Sequence, residues 1–197
     1  MKTDKLWING KIYRNEEADE LLESFSARAS ITGKNYQHMR LLTEETMGMA
    51  HHLLKDFEGE LWIEKTHNGY DIIFEANLSG TKERQADISA SPTGFMAKIA
   101  ELLNCSYIFE NIEEIPETLA SAIPDYMSYG FSEADSETAW AGKWSLSAYR
   151  QYLLNHSGSD LRLDELEKSI VARLADEVTV GIYGQRIRLM INVLLQK

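Results

Sequence analysis

The segment DELEKSIVARLAD (residues 164–176) runs into EVTVGIY (177–183), which is followed by IRLMINVL (187–194). Apolar residues recur at helical spacing from Leu163, just before the first segment, through Leu166, Ile170 and Leu174. In the next two segments apolar residues alternate with polar or small ones, which is typical of strands. The pattern therefore predicts an amphipathic helix that packs on a sheet closed by a C-terminal β-hairpin.

The preceding chain shows the same two kinds of element. Asn9-Gly10 lies between two short β-prone runs, 6–8 and 11–13, and this dipeptide is a strong hairpin signal. Helical periodicity predicts helices at 16–29 and 35–55, with a break at Gly33. The apolar stripe of the second helix consists of Met39, Leu42, Met49 and Leu53.

A central hairpin is predicted from strands at 60–65 and 70–77. Three consecutive apolar residues, Ile72, Ile73 and Phe74, indicate that its second strand is buried on both faces. We expect one domain, residues 1–197, with an α/β two-layer sandwich fold: a mixed, largely antiparallel sheet covered by helices on one face.

The sequence pattern indicates the secondary structure of three other parts of the chain less clearly. Thr93 is expected to cap a helix that runs to residue 103. Residues 104–142 lack clear periodicity and are interpreted as a family-specific insertion with short helices. Another short helix is expected to begin at Ser145 or Ser147.

Composition limits the functional classes. The net charge of −11 disfavours binding to nucleic acid, and Arg186 and Arg188 are interpreted as isolated cations on the last hairpin. No apolar run reaches the roughly 20 residues of a membrane-spanning helix, and no signal peptide is recognised. The single cysteine, Cys105, fits a cytoplasmic protein and is interpreted as a plain buried thiol.

The segment LLTEETMGMAHH (41–52) and the entry DEV (176–178) into the last hairpin carry a family resemblance. With the order of elements, they resemble the ATP-binding fold of histidine kinases and DNA gyrase. The nearest branch looks like the bacterial anti-sigma-factor serine kinases. In that family a glutamate on this helix is followed by asparagine four residues later and often by histidine eight residues later.

The resemblance assigns nucleotide-site positions to this chain. The catalytic base position falls on Glu44. The positions that would bind nucleotide, if binding is retained, are Glu44, Gly48, His52, Asn77, Ser79 and Gly80.

Several of these positions depart from the family pattern. Gly48 stands where the family asparagine supplies an oxygen to Mg²⁺, and Asn77 stands where an aspartate contacts adenine. The phosphate-binding Gly-x-Gly aligns with Glu165-Leu-Glu167. Asp164 and Glu167 have the spacing of a capping-box variant, which would satisfy the helix N–H groups from within the chain.

We therefore expect a noncatalytic regulatory or partner-binding protein without a cofactor. The alternative is an anti-sigma-factor-type serine/threonine kinase that binds ATP and Mg²⁺ in a divergent pocket. Trp140 and Trp144 are the candidate partner-binding residues, and the acidic run 133–137 favours a basic protein partner. The sequence also leaves open whether the chain forms a homodimer.

Simpler interpretations remain beside these. Glu44, Gly48 and His51 lie at helical spacing and could form an ordinary solvated face, with Gly48 allowing close packing. The pair His51-His52 lacks the spacing of a zinc site, so no metal is expected. Trp7 and Trp62 are expected in the core or on a sheet face, and Thr93 and Lys98 could belong to a plain helix start.

Overall fold

The computed structural model describes residues 1–9, 16–54, 57–77, 140–147, 150–151, 169–183 and 186–195. Its described strands form one six-stranded antiparallel sheet in the order β1-β2-β3-β6-β5-β4. The strands are β1 (Leu6–Asn9), β2 (Glu58–Lys65), β3 (Gly69–Asn77), β4 (Trp140–Ser145), β5 (Glu177–Tyr183) and β6 (Arg186–Leu194). The helices are α1 (Glu16–Ala29), α2 (Gly33–Leu54) and α3 (Ile170–Leu174).

Helix α1 forms at the predicted residues. Acidic Glu16, Glu17 and Asp19 occupy its first turn, where they interact favourably with the helix dipole. Its buried stripe includes Leu22 and Phe25, which have relative exposures of 1% and 0%. The amphipathic pattern thus buries one face of α1 on the sheet, as the sequence predicts.

The turn between α1 and α2 is a Schellman-type helix end. Ser30 has a φ of 59°, and the backbone N–H of Ile31 donates to the carbonyl of Ser26 at 2.9 Å. Ile31 is itself buried, which adds the apolar contact typical of this motif. Helix α2 then begins at Gly33, two residues before its predicted start.

The main core lies between α1, α2 and one face of the sheet. Alternate strand residues in register supply the sheet side of it. These residues include Leu61, Ile63, Ile72, Phe74, Leu189 and Ile191. The neighbouring residue Ile73 is also buried, at 7% exposure, but on the opposite face, which we call the outer face. The two-sided burial expected for Ile72, Ile73 and Phe74 is therefore confirmed.

Three predictions about regular structure need correction. All described strand pairs are antiparallel, so the expected mixed sheet is wrong for this part of the chain. A continuous helix over 164–176 is also wrong, because Ser169 is extended (φ −69°, ψ 125°) and caps α3 by accepting from Ala172 N. Finally, β4 occupies the end of the expected insertion, whereas the short helix expected from Ser145 or Ser147 is supported, because residues 146–147 and 150–151 are helical.

Other expectations fall outside the described residues. These are the strand at 11–13, the helix at 93–103, most of the insertion at 104–142, Cys105 and the capping pair Asp164 and Glu167. Within the described part, no helix combines the length and apolar character needed to cross a membrane.

Candidate functional site

The candidate base, Glu44, lies on the solvent side of α2. Its carboxylate is 3.4 Å from the Nε of Arg40, one helical turn earlier, and Arg40 also lies 3.2 Å from Asp19 of α1. The Glu44 side chain is 54% exposed. Exposed pairs of this kind typically contribute less than about 1 kcal/mol, so the network joins the two helices weakly. The sequence spacing of Arg40 and Glu44 already favours this pair.

The other candidate residues of α2, Gly48, His51 and His52, differ in their exposure and do not form one cluster. Gly48 is half-buried and His52 is exposed. His51 is half-buried, and its ring meets Phe57 edge to face at a centroid distance of 5.2 Å. Phe57 in turn meets Phe74 at 5.3 Å, which connects the end of α2 with the sheet core. Among the described residues no group of histidine, cysteine and carboxylate side chains could hold a metal ion.

Asn77 is exposed at the end of β3, the strand on which α2 packs. In the sheet it pairs with Glu58 on one side and with Arg186 on the other. The two following candidates, Ser79 and Gly80, lie outside the described residues. Of the six nucleotide-site positions, the structure thus locates three on α2 and one at the end of the strand beneath it.

The Asp-Glu-Val entry into the last hairpin uses its carboxylates structurally. Asp176 Oδ2 accepts from the backbone N–H of Leu194 at 2.7 Å. Glu177 Oε1 accepts from the N–H groups of Ser147 at 3.1 Å and Val178 at 2.9 Å. These carboxylates therefore hold the ends of β4, β5 and β6 together.

Arg186 and Arg188 form ion pairs that the sequence does not predict. Both guanidinium groups contact Glu75, whose side chain is only 12% exposed. Arg188 donates to Glu75 Oε2 at 2.6 and 2.9 Å, and Arg186 donates to Oε1 at 3.2 Å. Because β3 and β6 place Glu75 opposite Arg188, the contact is a cross-strand pair.

A second polar cluster lies on the outer face around Trp62, which is 4% exposed and stands outside the main core. The ammonium groups of Lys2 and Lys5 lie 4.5 and 4.7 Å from its ring centroid. The indole Nε1 donates to Glu64 Oε1 at 2.7 Å. The expected sheet-face location of Trp62 is confirmed, whereas the lysines around it were not anticipated.

The carboxylates next to Trp62 differ in their environments. The contact with Lys2 lowers the pKa of Glu64 below its usual value, against a smaller opposing effect of burial. Burial raises the pKa of Asp71, although Asn192 donates to its Oδ1 at 2.6 Å. Glu64 lies directly across from Asp71 in the sheet and contributes to the raised pKa of Asp71. The carboxylates of Glu64 and Asp71 thus lie side by side at this end of the outer face, with the ammonium group of Lys2 beside Glu64.

Tyr70 is a buried polar residue on the core face of β3, with a relative exposure of 0%. Its hydroxyl is the only buried side-chain polar atom in the described part of the chain without a hydrogen-bond partner. Burial, and secondarily the charge of Asp176, raises the pKa of the Tyr70 phenol strongly. A tyrosine in an apolar strand gives no sequence signal for an unsatisfied hydroxyl, so this feature emerges only from the structure.

No protein-family model, curated protein or solved structure matches this chain.

Proposed function

We propose that this chain is a noncatalytic regulatory or partner-binding protein of the reducing cytoplasm, built on a histidine kinase-like ATPase scaffold. The element order supports the scaffold: a first strand, two helices, a central hairpin and a C-terminal hairpin follow one another, and the strands form one antiparallel sheet. This order is the one on which the sequence resemblance rests.

One observation carries the loss of catalysis. Gly48 lies one turn after Glu44 on α2 and presents no side-chain oxygen at the position of the family's metal ligand. Mg²⁺ requires near-octahedral oxygen ligands, and the triphosphate of ATP depends on that ion for charge compensation. The candidate base Glu44 is also paired with Arg40 on the helix surface.

The active serine/threonine kinase is the second candidate. It is favoured by Glu44 and His52, which keep the family's spacing of eight residues and are both exposed on α2. Asn77 could still accept a hydrogen bond from adenine through its amide carbonyl.

Titration calorimetry with Mg-ATP separates the two candidates. We expect the protein to show no micromolar binding, because the metal ligand is missing at Gly48. The same titration is carried out with the Gly48→Asn variant, which restores an amide oxygen at this position. A micromolar dissociation constant for the unaltered chain would overturn the noncatalytic role and support the kinase.

The partner-binding region is proposed to include β4 and the aromatic segment before it. Trp140 and Trp144 lie on β4, at the edge of the described sheet, and pair with Tyr183 and Val180 of β5. Large aromatic residues are enriched at protein interfaces, and the acidic run 133–137 favours a basic partner.

We expect the double variant Trp140→Ala/Trp144→Ala to lose most of its partner in a pull-down from native lysate. Circular dichroism must first show that the variant is folded. Exposed Ile170 on α3, an apolar residue outside β4, provides the control through Ile170→Ala. Unchanged partner recovery by the double variant would remove Trp140 and Trp144 from the interface.

The alternative that the partner is a second copy of the chain, in a homodimer, is tested by light scattering.

A further inference from the structure

The cluster around Trp62 has the composition of a site that recognises cations. A ring face attracts ammonium and guanidinium groups when they lie within about 6 Å of its centroid. Here two ammonium groups occupy that range, and each also pairs with a carboxylate, Lys2 with Glu64 at 2.8 Å and Lys5 with Glu60. We call Trp62, Glu60 and Glu64 the Trp62 platform.

The cations come from residues 1–5, which we call the N-terminal segment. It pairs with the edge of β2: Lys2 forms a bridge with Glu64, Thr3 N donates to the Ile63 carbonyl at 2.9 Å, and Lys65 N donates to the Met1 carbonyl at 2.7 Å. Ile63 N also donates to Thr3 Oγ1 at 3.0 Å. Edge segments held by few contacts open locally at a smaller free-energy cost than the whole domain.

The negative charge of the chain favours a basic peptide as the ligand that replaces residues 1–5 at the Trp62 platform. The chain carries a net charge of −11, and Asp71 lies across from Glu64 beside the platform. The side chains of Lys2 and Lys5 are 46% and 44% exposed, so a competing cation can approach the same carboxylates from solvent. Opening the segment would leave Glu60 and Glu64 without these lysine partners.

We propose that the Trp62 platform is a cation-binding docking site that the chain's own Lys2 and Lys5 occupy. A lysine- or arginine-rich segment of a partner protein binds there by displacing the N-terminal segment. The lysines thus act as an internal competitor and limit access to the platform. The platform lies on β2, far in the sheet from the proposed interface on β4, and adds a second docking surface to the proposed partner-binding function, on which this inference rests.

The test is a fluorescence-anisotropy titration of the full-length chain with a labelled oligolysine peptide. We expect Lys2→Gln/Lys5→Gln to bind about five-fold more tightly than the unaltered chain, because the variant lacks both internal cations that compete for the ring of Trp62. Arg28→Gln/Lys34→Gln makes the same change in net charge on the exposed surface of α1 and α2. This control separates release of the platform from a general increase in negative charge.

A third variant adds Trp62→Leu to Lys2→Gln/Lys5→Gln and is expected to lose the gain in affinity. Circular dichroism confirms that each variant is folded, and Glu60→Gln in the same background provides a milder substitution with the same expected direction. The proposal is overturned if Arg28→Gln/Lys34→Gln tightens peptide binding as much as Lys2→Gln/Lys5→Gln does. It is also overturned if the gain in peptide affinity is fully retained after either Trp62→Leu or Glu60→Gln is added. Micromolar Mg-ATP binding would instead contradict the noncatalytic function and leave the peptide result unaffected.

Discussion

Replacing Gly69 by alanine is expected to lower the free energy of unfolding by about 3 kcal/mol or more, the upper range for overpacking a tight site. A Cβ atom at Gly69 would lie 1.8 Å from the carbonyl oxygen of Val193 and 3.0 Å from the Cα of Leu194. Both contacts are with backbone of β6, which no side-chain rotation can move. Relief therefore requires β3 and β6 to separate where they pair.

Gly33→Ala is the matched control for this prediction. Gly33 has a φ of 58°, but a Cβ atom there would meet nothing within 4 Å. Its cost is the backbone strain of a left-handed residue, about 1–2 kcal/mol. Equilibrium unfolding in urea measures both variants. A smaller loss for Gly69→Ala than for Gly33→Ala would contradict the described pairing of β3 with β6.

Replacing Tyr70 by phenylalanine is expected to raise the free energy of unfolding by about 1–3 kcal/mol at neutral pH, the usual penalty of an unsatisfied buried polar group. The substitution removes the unpaired hydroxyl and keeps the ring that fills the core. Half-buried Tyr36 offers the matched change, Tyr36→Phe, for which we expect an effect within about 0.5 kcal/mol. A clear loss of stability in Tyr70→Phe would show that the hydroxyl is satisfied.

The same tyrosine should also be visible in the pH dependence of stability. Because folding raises the pKa of Tyr70, the folded chain retains the phenolic proton at pH values where the unfolded chain loses it. Its contribution to stability is complete below the unfolded pKa of about 10 and falls as the pH rises above that value. Tyr70→Phe should lack this alkaline loss, which urea unfolding between neutral and alkaline pH can measure.

The elements that the sequence predicts well are those governed by local pattern. The bounds of α1 follow from its acidic first turn and its buried stripe. The C-terminal hairpin follows from alternation of apolar residues, and the second strand of the central hairpin follows from the apolar run 72–74. In each case the deciding residues lie within one or two turns or strands of one another.

The features that the sequence does not predict depend on distant parts of the chain. Glu75 meets Arg188 only because β3 pairs with β6, and the lysines of residues 1–5 reach Trp62 only through the edge of β2. Apolar periodicity continues through Ser169, yet the hydroxyl of this residue caps the start of α3. The periodicity of apolar residues does not distinguish one long helix from a shorter helix whose N-cap lies within the periodic segment.

The most direct test of the central claim, that the scaffold no longer uses ATP, is the free energy of unfolding with and without 1 mM Mg-ATP. The noncatalytic role requires the two values to agree within error, since Gly48 provides no oxygen for the metal ion. Binding with a dissociation constant of about 1 μM would raise the value by about 4 kcal/mol at this concentration. An increase of that size would contradict the account and identify the chain as a nucleotide-binding protein.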